Sequence, residues 1–201
     1  MGRKDKDDTK GRDKDEDVAV PGASLADLER LSRLMRQQGH GHGLNPAQWE
    51  ALRYLNRANK LSNSPGALAR YLGATKGTVS QTLASLEAKG LVVKQERGDD
   101  GRSIALALSD AGRDVLERDG LKALGLDIES LRPKIRKRFD KAVATLLQAE
   151  VQRQGEPSFG NCPTCRYFRE PSTGQSAHCM KISAALDKVG LQLICVEHVA
   201  R

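Results

Sequence analysis

Aromatic side chains supply only 3% of the 201 residues, among them a single tryptophan. With 38% hydrophobic residues overall, the interior has to be assembled from Leu, Ala and Val, mostly in helices. No apolar run comes near the roughly 20 residues that span a bilayer, and no apolar h-region follows the first residues. The expectation is a cytoplasmic protein without a membrane partner. A nucleophile elbow, a phosphate loop and a paired acid motif are absent too, which points away from an enzyme. No cysteine precedes Cys162; the four cysteines of the chain are Cys162, Cys165, Cys179 and Cys195. Where thiols stay reduced, such clustering favours a metal over two disulfides.

The formal net charge of +7 suits an anionic partner without choosing among nucleic acid, ribosome and membrane surface. Residues 1–22 contribute about −1 to it. Arg3, Lys4, Lys6, Lys10, Arg12 and Lys14 are offset by Asp5, Asp7, Asp8, Asp13, Asp15, Glu16 and Asp17, with almost nothing to bury, so a disordered tail is expected. A helix should then start after Ser24 as its cap, with Leu25, Leu28, Leu31 and Met35 as an apolar stripe. The run Gly39-His40-Gly41-His42-Gly43 ends it, and its histidines read as loop residues rather than ligands. Asn45, Pro46 and Gln48 spell a capping box and a first-turn proline for a second helix burying Trp49, Leu52 and Leu55. Ser64-Pro65 starts a third, which Gly73 stops.

After the turn Gly73-Ala74-Thr75, with Thr75 as cap, a fourth helix runs to Ala88 or Lys89. Its Val79, Leu83 and Leu86 face inward, and Gly77, Ser80, Gln81, Ala84 and Ser85 face outward. These are helix-turn-helix proportions. Gln81 suits an adenine edge, and Lys76 and Thr78 at the helix N-terminus suit phosphates. Leu91-Val92-Val93 leads into a hairpin whose return strand alternates Ile104, Leu106 and Leu108 with Ser103, Ala105 and Ala107. At its tip, Arg97 or Arg102 is placed to enter a minor groove, with Asp99 or Asp100 orienting Arg102. Ser109 caps a further helix. The stretch from Leu121 to Arg132 carries no readable pattern. Pro133 opens a last long helix to about Gln154, in which Ile135, Phe139, Val143 and Leu147 recur every four residues. Gly155, Pro157 and Gly160 mark a linker.

Over residues 24–154 the chain resembles the MarR family of winged-helix regulators. The resemblance is carried by Asn45-Pro46-Ala47-Gln48-Trp49 through Leu55, by Thr75-Lys76-Gly77-Thr78-Val79-Ser80-Gln81, and by Leu86-Glu87-Ala88-Lys89-Gly90-Leu91-Val92. Asp100-Gly101-Arg102 and Leu108-Ser109-Asp110-Ala111-Gly112 complete it, with Gly101 and Ser109 where the family usually has Arg and Thr. The resemblance implies a homodimer built from the first and the C-terminal helices. It also implies repression by occluding RNA polymerase, and an effector that shifts the spacing of two recognition helices. Such a dimer reads a pseudo-palindromic site whose halves lie about 34 Å apart.

The expected fold class is therefore mainly α. It combines a winged helix-turn-helix with a two-stranded β-wing, long dimerisation helices and a small C-terminal Cys-rich metal knob. The domains are 1–22, 23–154 and 155–201. The DNA-contacting residues are Thr75, Lys76, Gly77, Thr78, Ser80, Gln81, Arg97, Asp100 and Arg102. Cys162, Cys165, Cys179 and Cys195 are the metal ligands, with His178 and His198 as alternates, and Ile182, Leu186, Val189 and Leu191 belong to a short helix and loop that close the knob. Zinc and an iron–sulfur cluster both satisfy four thiolates, and spacing does not choose between them. Cys162-Pro163-Thr164-Cys165 also has the form of a thioredoxin-type pair, but residues 155–201 lack the βαβ surroundings that pair needs. Double-stranded DNA is the expected partner. A thiol-redox or electron-transfer protein, or an adaptor docking a partner through a zinc knob, is the alternative.

Overall fold

The computed structural model describes residues 22–38, 41–97, 103–171 and 176–201. The acidic and basic tail before Gly22, His40 and the hairpin tip with Asp99, Asp100, Gly101 and Arg102 lie outside the described residues. By its contacts the chain divides into two units, Met1–Arg36 and Gln37–Arg201. In the first, helix α1 (Ala23–Gln37) begins ahead of Ser24, which is therefore not its cap. The carbonyl of Gly22 makes the first bonds of the helix, accepting from the amides of Leu25 and Ala26. Leu25, Leu28, Leu31 and Leu34 along it are exposed.

In the second unit local chemistry sets the helix ends. Helix α2 (Pro46–Arg57) starts with the full capping box: Asn45 accepts from the Gln48 amide at 2.9 Å and the Gln48 side chain accepts from the Asn45 amide at 3.0 Å. Helix α3 (Pro65–Leu72) is capped by Ser64 and ends at Gly73, whose φ of 59° is the left-handed conformation a residue without Cβ adopts readily. Helix α4 (Lys76–Ala88) is capped by Thr75, which accepts from the Thr78 amide at 3.1 Å. Trp49, Leu52, Tyr54, Leu68, Val79, Leu83 and Leu86 from these three helices form one core. At the usual worth of about 1.5–3 kcal/mol per fully buried large apolar side chain, that core dominates the stability of the unit.

Strands β1 (Val92–Arg97) and β2 (Ser103–Leu108) pair antiparallel, Val92 opposite Leu108 and Arg97 opposite Ser103. Of the three residues expected to face inward, Leu106 and Leu108 are buried but Ile104 is exposed, and Ala105 is buried instead. Leu106 is where the hairpin is anchored: its amide donates to the Asn63 carbonyl at 2.6 Å, and the Asn63 side chain donates back to its carbonyl at 3.0 Å. Ile104 lies two residues nearer the tip, opposite Glu96 and beyond that anchorage. Helix α5 (Asp110–Glu117) is capped by Ser109 as expected. The unreadable stretch after Leu121 contains helix α6 (Leu121–Ser130), and Pro133 opens α7 (Pro133–Gln154). None of the described side chains of α7 is buried; Ile135, Phe139, Val143 and Leu147 remain 39–61% exposed.

Arg53 of α2 grips Asp119, between α5 and α6, through two hydrogen bonds of 2.6 Å. Burial by itself pushes the Asp119 carboxyl up. The Arg53 hydrogen bonds, the Leu121 amide and the charges of Arg53 and Lys122 outweigh it and hold the group below its ordinary value. A carboxyl depressed by folding stabilises the fold above its unfolded pKa of about 3.9, and that contribution is lost as pH falls through the folded value. Asp119→Asn should cost about 1–3 kcal/mol at pH 7. The gap to the unmodified protein should narrow at pH 3, read from urea midpoints. Equal gaps at the two pH values would mean the carboxylate charge plays no part.

The C-terminal segment makes three two-residue strands, β3 (Phe168–Arg169), β4 (His178–Cys179) and β5 (Ala184–Ala185), antiparallel in that order, and two 3-10 turns, Cys162–Thr164 and Gly190–Gln192. Of the expected short helix and loop, the helical part is the 3-10 turn Gly190–Gln192; Ile182 and Val189 are exposed, while Leu186 and Leu191 pack on a cluster of Cys162, Cys165, Phe168 and Ala177. Residues 155–160 are no free tether. Phe159 meets Tyr54 and Tyr71 edge-on, and Phe159 and Ile194 join the core of the helices.

Candidate nucleic-acid interface and thiol cluster

A helix can present base-reading side chains only if its opposite face is held rigidly. In α4 the buried face is Val79, Leu83 and Leu86. The opposite face exposes Lys76, Gly77, Thr78, Ser80, Gln81 and Ala84, with Thr75 exposed at the cap. Ser85 departs from the expected outer face: it is half-buried and accepts from the buried Gln48 side chain at 2.8 Å, which ties α4 to α2. The Thr75 and Thr78 hydroxyls bond each other at 2.9 Å, and the Thr78 amide is taken by the cap, while the amides of Lys76 and Gly77 have no partner within the helix. At Gly77 an added Cβ would find only Thr75 Oγ1, at an ordinary 3.8 Å. Packing therefore does not require glycine there, and alanine would favour the helix by about 1 kcal/mol. A residue that the fold does not need and the helix disfavours suits close approach of a ligand.

The wing contributes β1 and β2 beside this helix, with Lys94 of β1 paired to Glu87 of α4 at 2.7 Å. Arg97 ends β1, but its side chain lies outside the described residues, as do Asp100 and Arg102 entirely.

The cysteines are brought together by backbone pairing. Cys162 and Cys165 flank a 3-10 turn in which the Cys165 amide donates to the Cys162 carbonyl at 2.9 Å. Cys179 is paired with Phe168, and Cys195 bridges to Gly160. All four are free thiols, so no disulfide holds the segment. Burial, then the nearness of Cys195, Cys179 and Cys165, pushes the Cys162 thiol up to about 11. That is the reverse of the lowered value an attacking cysteine of a redox pair requires. Among the described residues no group of three or more His, Cys, Asp or Glu side chains is set as a formed metal site.

His198 was an alternate ligand, but both its ring nitrogens face hydroxyls, Nδ1 the Ser158 Oγ at 3.1 Å and Nε2 the Thr164 Oγ1 at 3.0 Å. Burial holds its imidazole below the ordinary value against a backbone hydrogen bond with Thr164, and the two hydroxyl contacts brace it beside the Cys162–Cys165 turn. Gly160 leaves room for it, since a Cβ there would lie 2.7 Å from Nε2. His178 is half-buried on β4, opposite Arg169 and Ala185. Sequence reasoning missed Ser158, Thr164 and Arg201, which donates to the Cys165 carbonyl at 3.1 Å. No local spacing rule announces such contacts.

Three capped helices, a tied fourth-helix face and an antiparallel wing make a winged helix-turn-helix. Residues 42–103 match the MarR family model. Solved MarR-type structures share the fold. A MarR transcriptional regulator from Methanosarcina mazei Go1 aligns at 18% identity and TM-score 0.50, covering 65% of this chain and 96% of that one. MepR of S. aureus in its DNA-binding conformation aligns at 19% identity and TM-score 0.53, covering 63% and 97%. The regulator SlyA aligns at 11% identity and TM-score 0.52, covering 65% and 96%. No curated protein sequence matches the chain. The MarR match ends before Cys162. No described helix is long and apolar enough to cross a membrane.

Proposed function

We propose that this protein is a DNA-binding transcriptional regulator, acting as a repressor. It binds a pseudo-palindromic operator as a homodimer and is controlled by a metal or redox state at Cys162, Cys165, Cys179 and Cys195. The observation that carries the reading is the outer face of α4, where Thr75, Lys76, Gly77, Thr78, Ser80 and Gln81 are all exposed. Lys76, Thr75 and Thr78 meet phosphates at the helix N-terminus, and Ser80 and Gln81, one turn on, meet base edges. At the wing, Arg97 or Arg102 enters the adjacent minor groove, with Asp100 orienting Arg102. Homodimerisation is supported by the exposed apolar residues of α7. Zinc or an iron–sulfur cluster is the centre proposed for the thiols.

Footprinting across the protein's own promoter, followed by titration of the protected fragment, tests the reading. Gln81→Ala should weaken binding about 10- to 100-fold and relax preference at one position of each half-site. Lys76→Ala should weaken all sequences alike and reduce the salt slope by about 1 per contacted phosphate. Binding that ignores salt, or variants that bind as the parent does, would end the proposal.

A further inference from the structure

The route by which the thiol cluster reaches the DNA-reading helices lies in the three residues around Cys195. The Ile194 amide donates to the Arg57 carbonyl at 2.6 Å, the Asn59 amide donates to the Ile194 carbonyl at 2.9 Å, and the Val196 amide donates to Ser62 Oγ at 2.8 Å. Ile194 and Val196 are both buried and Ser62 is fully so. Cys195, between them, is bound on its other side, its amide donating to the Gly160 carbonyl at 2.9 Å beside Cys162. One short segment thus carries a thiol and is sewn into the turn between α2 and α3.

That turn also holds the reading elements. Ser62 donates to Asn59 Oδ1 at 2.7 Å, and its carbonyl accepts the Tyr54 hydroxyl at 2.7 Å. Asn63 anchors β2 of the wing at Leu106, and Ser64 caps α3, whose end leads through Gly73 to α4. One open cleft is lined by Val196 and Glu197 together with Arg70 and Lys76, so the C-terminal segment and the first residue of α4 border one depression.

We infer that Cys162, Cys165, Cys179 and Cys195 ligate one thiophilic metal centre, and that its occupancy sets the order of the α2–α3 turn through Ile194–Val196. The inference rests on the regulator reading for its consequence on DNA but not for its structural part. The four thiols, Cys162 and Cys165 on one 3-10 turn, Cys179 on β4 and Cys195 bridged to Gly160, lose their protons when a cation is there to hold them as thiolates. Binding draws the thiols inward, fixes the Cys195 segment against Gly160, and so pins Ser62 and Asn59. With the metal gone, segment 194–196 is held only by its hydrogen bonds, and the cap of α3 and the anchorage of the wing loosen together.

The full-length chain purified without air, assayed for zinc, iron and sulfide, tests the centre. Stoichiometric zinc without colour, or iron with sulfide and visible absorbance, upholds it. A chain that retains neither and takes up neither zinc(II) nor iron with sulfide overturns it. Amide hydrogen exchange, measured without DNA before and after chelation, tests the route. Exchange at residues 57–64 should rise at least tenfold on stripping, and unchanged exchange there overturns the inference. Affinity for the promoter fragment should fall at least tenfold. Ser62→Ala keeps the carbonyl that Tyr54 uses but lacks the hydroxyl that Val196 uses. It should retain the metal while the effect of stripping on affinity shrinks below threefold; a full tenfold effect in that variant overturns the route. If neither form binds DNA while exchange still responds to metal, the regulator reading fails and the present inference stands.

Discussion

Gly112→Ala is expected to destabilise the winged helix by about 3 kcal/mol or more, enough to leave a marginal domain largely unfolded. Gly112 lies in the first turn of α5 and is buried. A Cβ built on it falls 2.1 Å from the Leu91 carbonyl oxygen, 3.1 Å from its carbon and 3.5 Å from Leu108 Cδ2. The first two are backbone atoms at the entrance to β1, so no rotamer change relieves the overlap. That carbonyl also accepts the Ser109 amide at 3.1 Å, the residue that caps α5. Moving it away breaks the bond that joins helix to strand. Gly125→Ala is the control. Gly125 sits within α6 with nothing inside 4 Å of the added Cβ, so the same methyl should stabilise by about 0.4–1 kcal/mol through helix propensity. Thermal melts of the two variants should move in opposite directions. A Gly112→Ala protein as stable as the parent would show that α5 can back away from β1 freely.

Where a structural decision is made by neighbours in sequence, it was legible. Asn45, Ser64, Thr75 and Ser109 each cap a helix by accepting from an amide three residues on, so their types announce the boundaries. The split of α4 into Val79, Leu83 and Leu86 against Ser80 and Gln81 follows from the 3.6-residue period. Helix α6 escaped because it has no side-chain cap and no buried residue to sharpen a stripe. Ser24 misled because a cap-type residue also sits comfortably inside the first turn. Ser85 misled for another reason: its position is half-exposed by angle, and only the arrival of Gln48, 37 residues away, decides its role.

The thiol cluster shows the same division. That all four cysteines fall within the last forty residues was legible in the sequence. That they lean on the α2–α3 turn was not, because Ala58 and Ile194 meet as a backbone bridge that leaves no mark on side-chain pattern. The apparent linker was misread for a related reason. Gly155, Pro157 and Gly160 are turn formers in any context, and the aromatic ring of Phe159, packed on Tyr54 and Tyr71, converts the turn into a joint.

A charged group on α7 is expected to abolish the proposed dimer and, with it, tight DNA binding. Ile135, Phe139, Val143 and Leu147 lie four apart on one helix face, and with Leu146 they leave five large apolar side chains in water. Each is already about half covered, so a second copy of the same face that completes the burial adds roughly half of the usual 1.5–3 kcal/mol per side chain. A carboxylate at the centre of such a patch has no partner and must be desolvated against its own symmetry mate, which outweighs the remaining contacts. Phe139→Asp should therefore show the 21.9 kDa of one chain in light scattering, with the parent expected at twice that mass. Because a dimer engages two half-sites at once, its loss should weaken operator binding by about two to four orders of magnitude, while affinity for a single half-site stays within a few-fold. Gln148→Glu, an exposed polar position just past the stripe, should change neither mass nor affinity. A Phe139→Asp protein that remains dimeric would move the subunit contact off α7. Tight operator binding by a proven monomer would separate DNA recognition from dimerisation altogether.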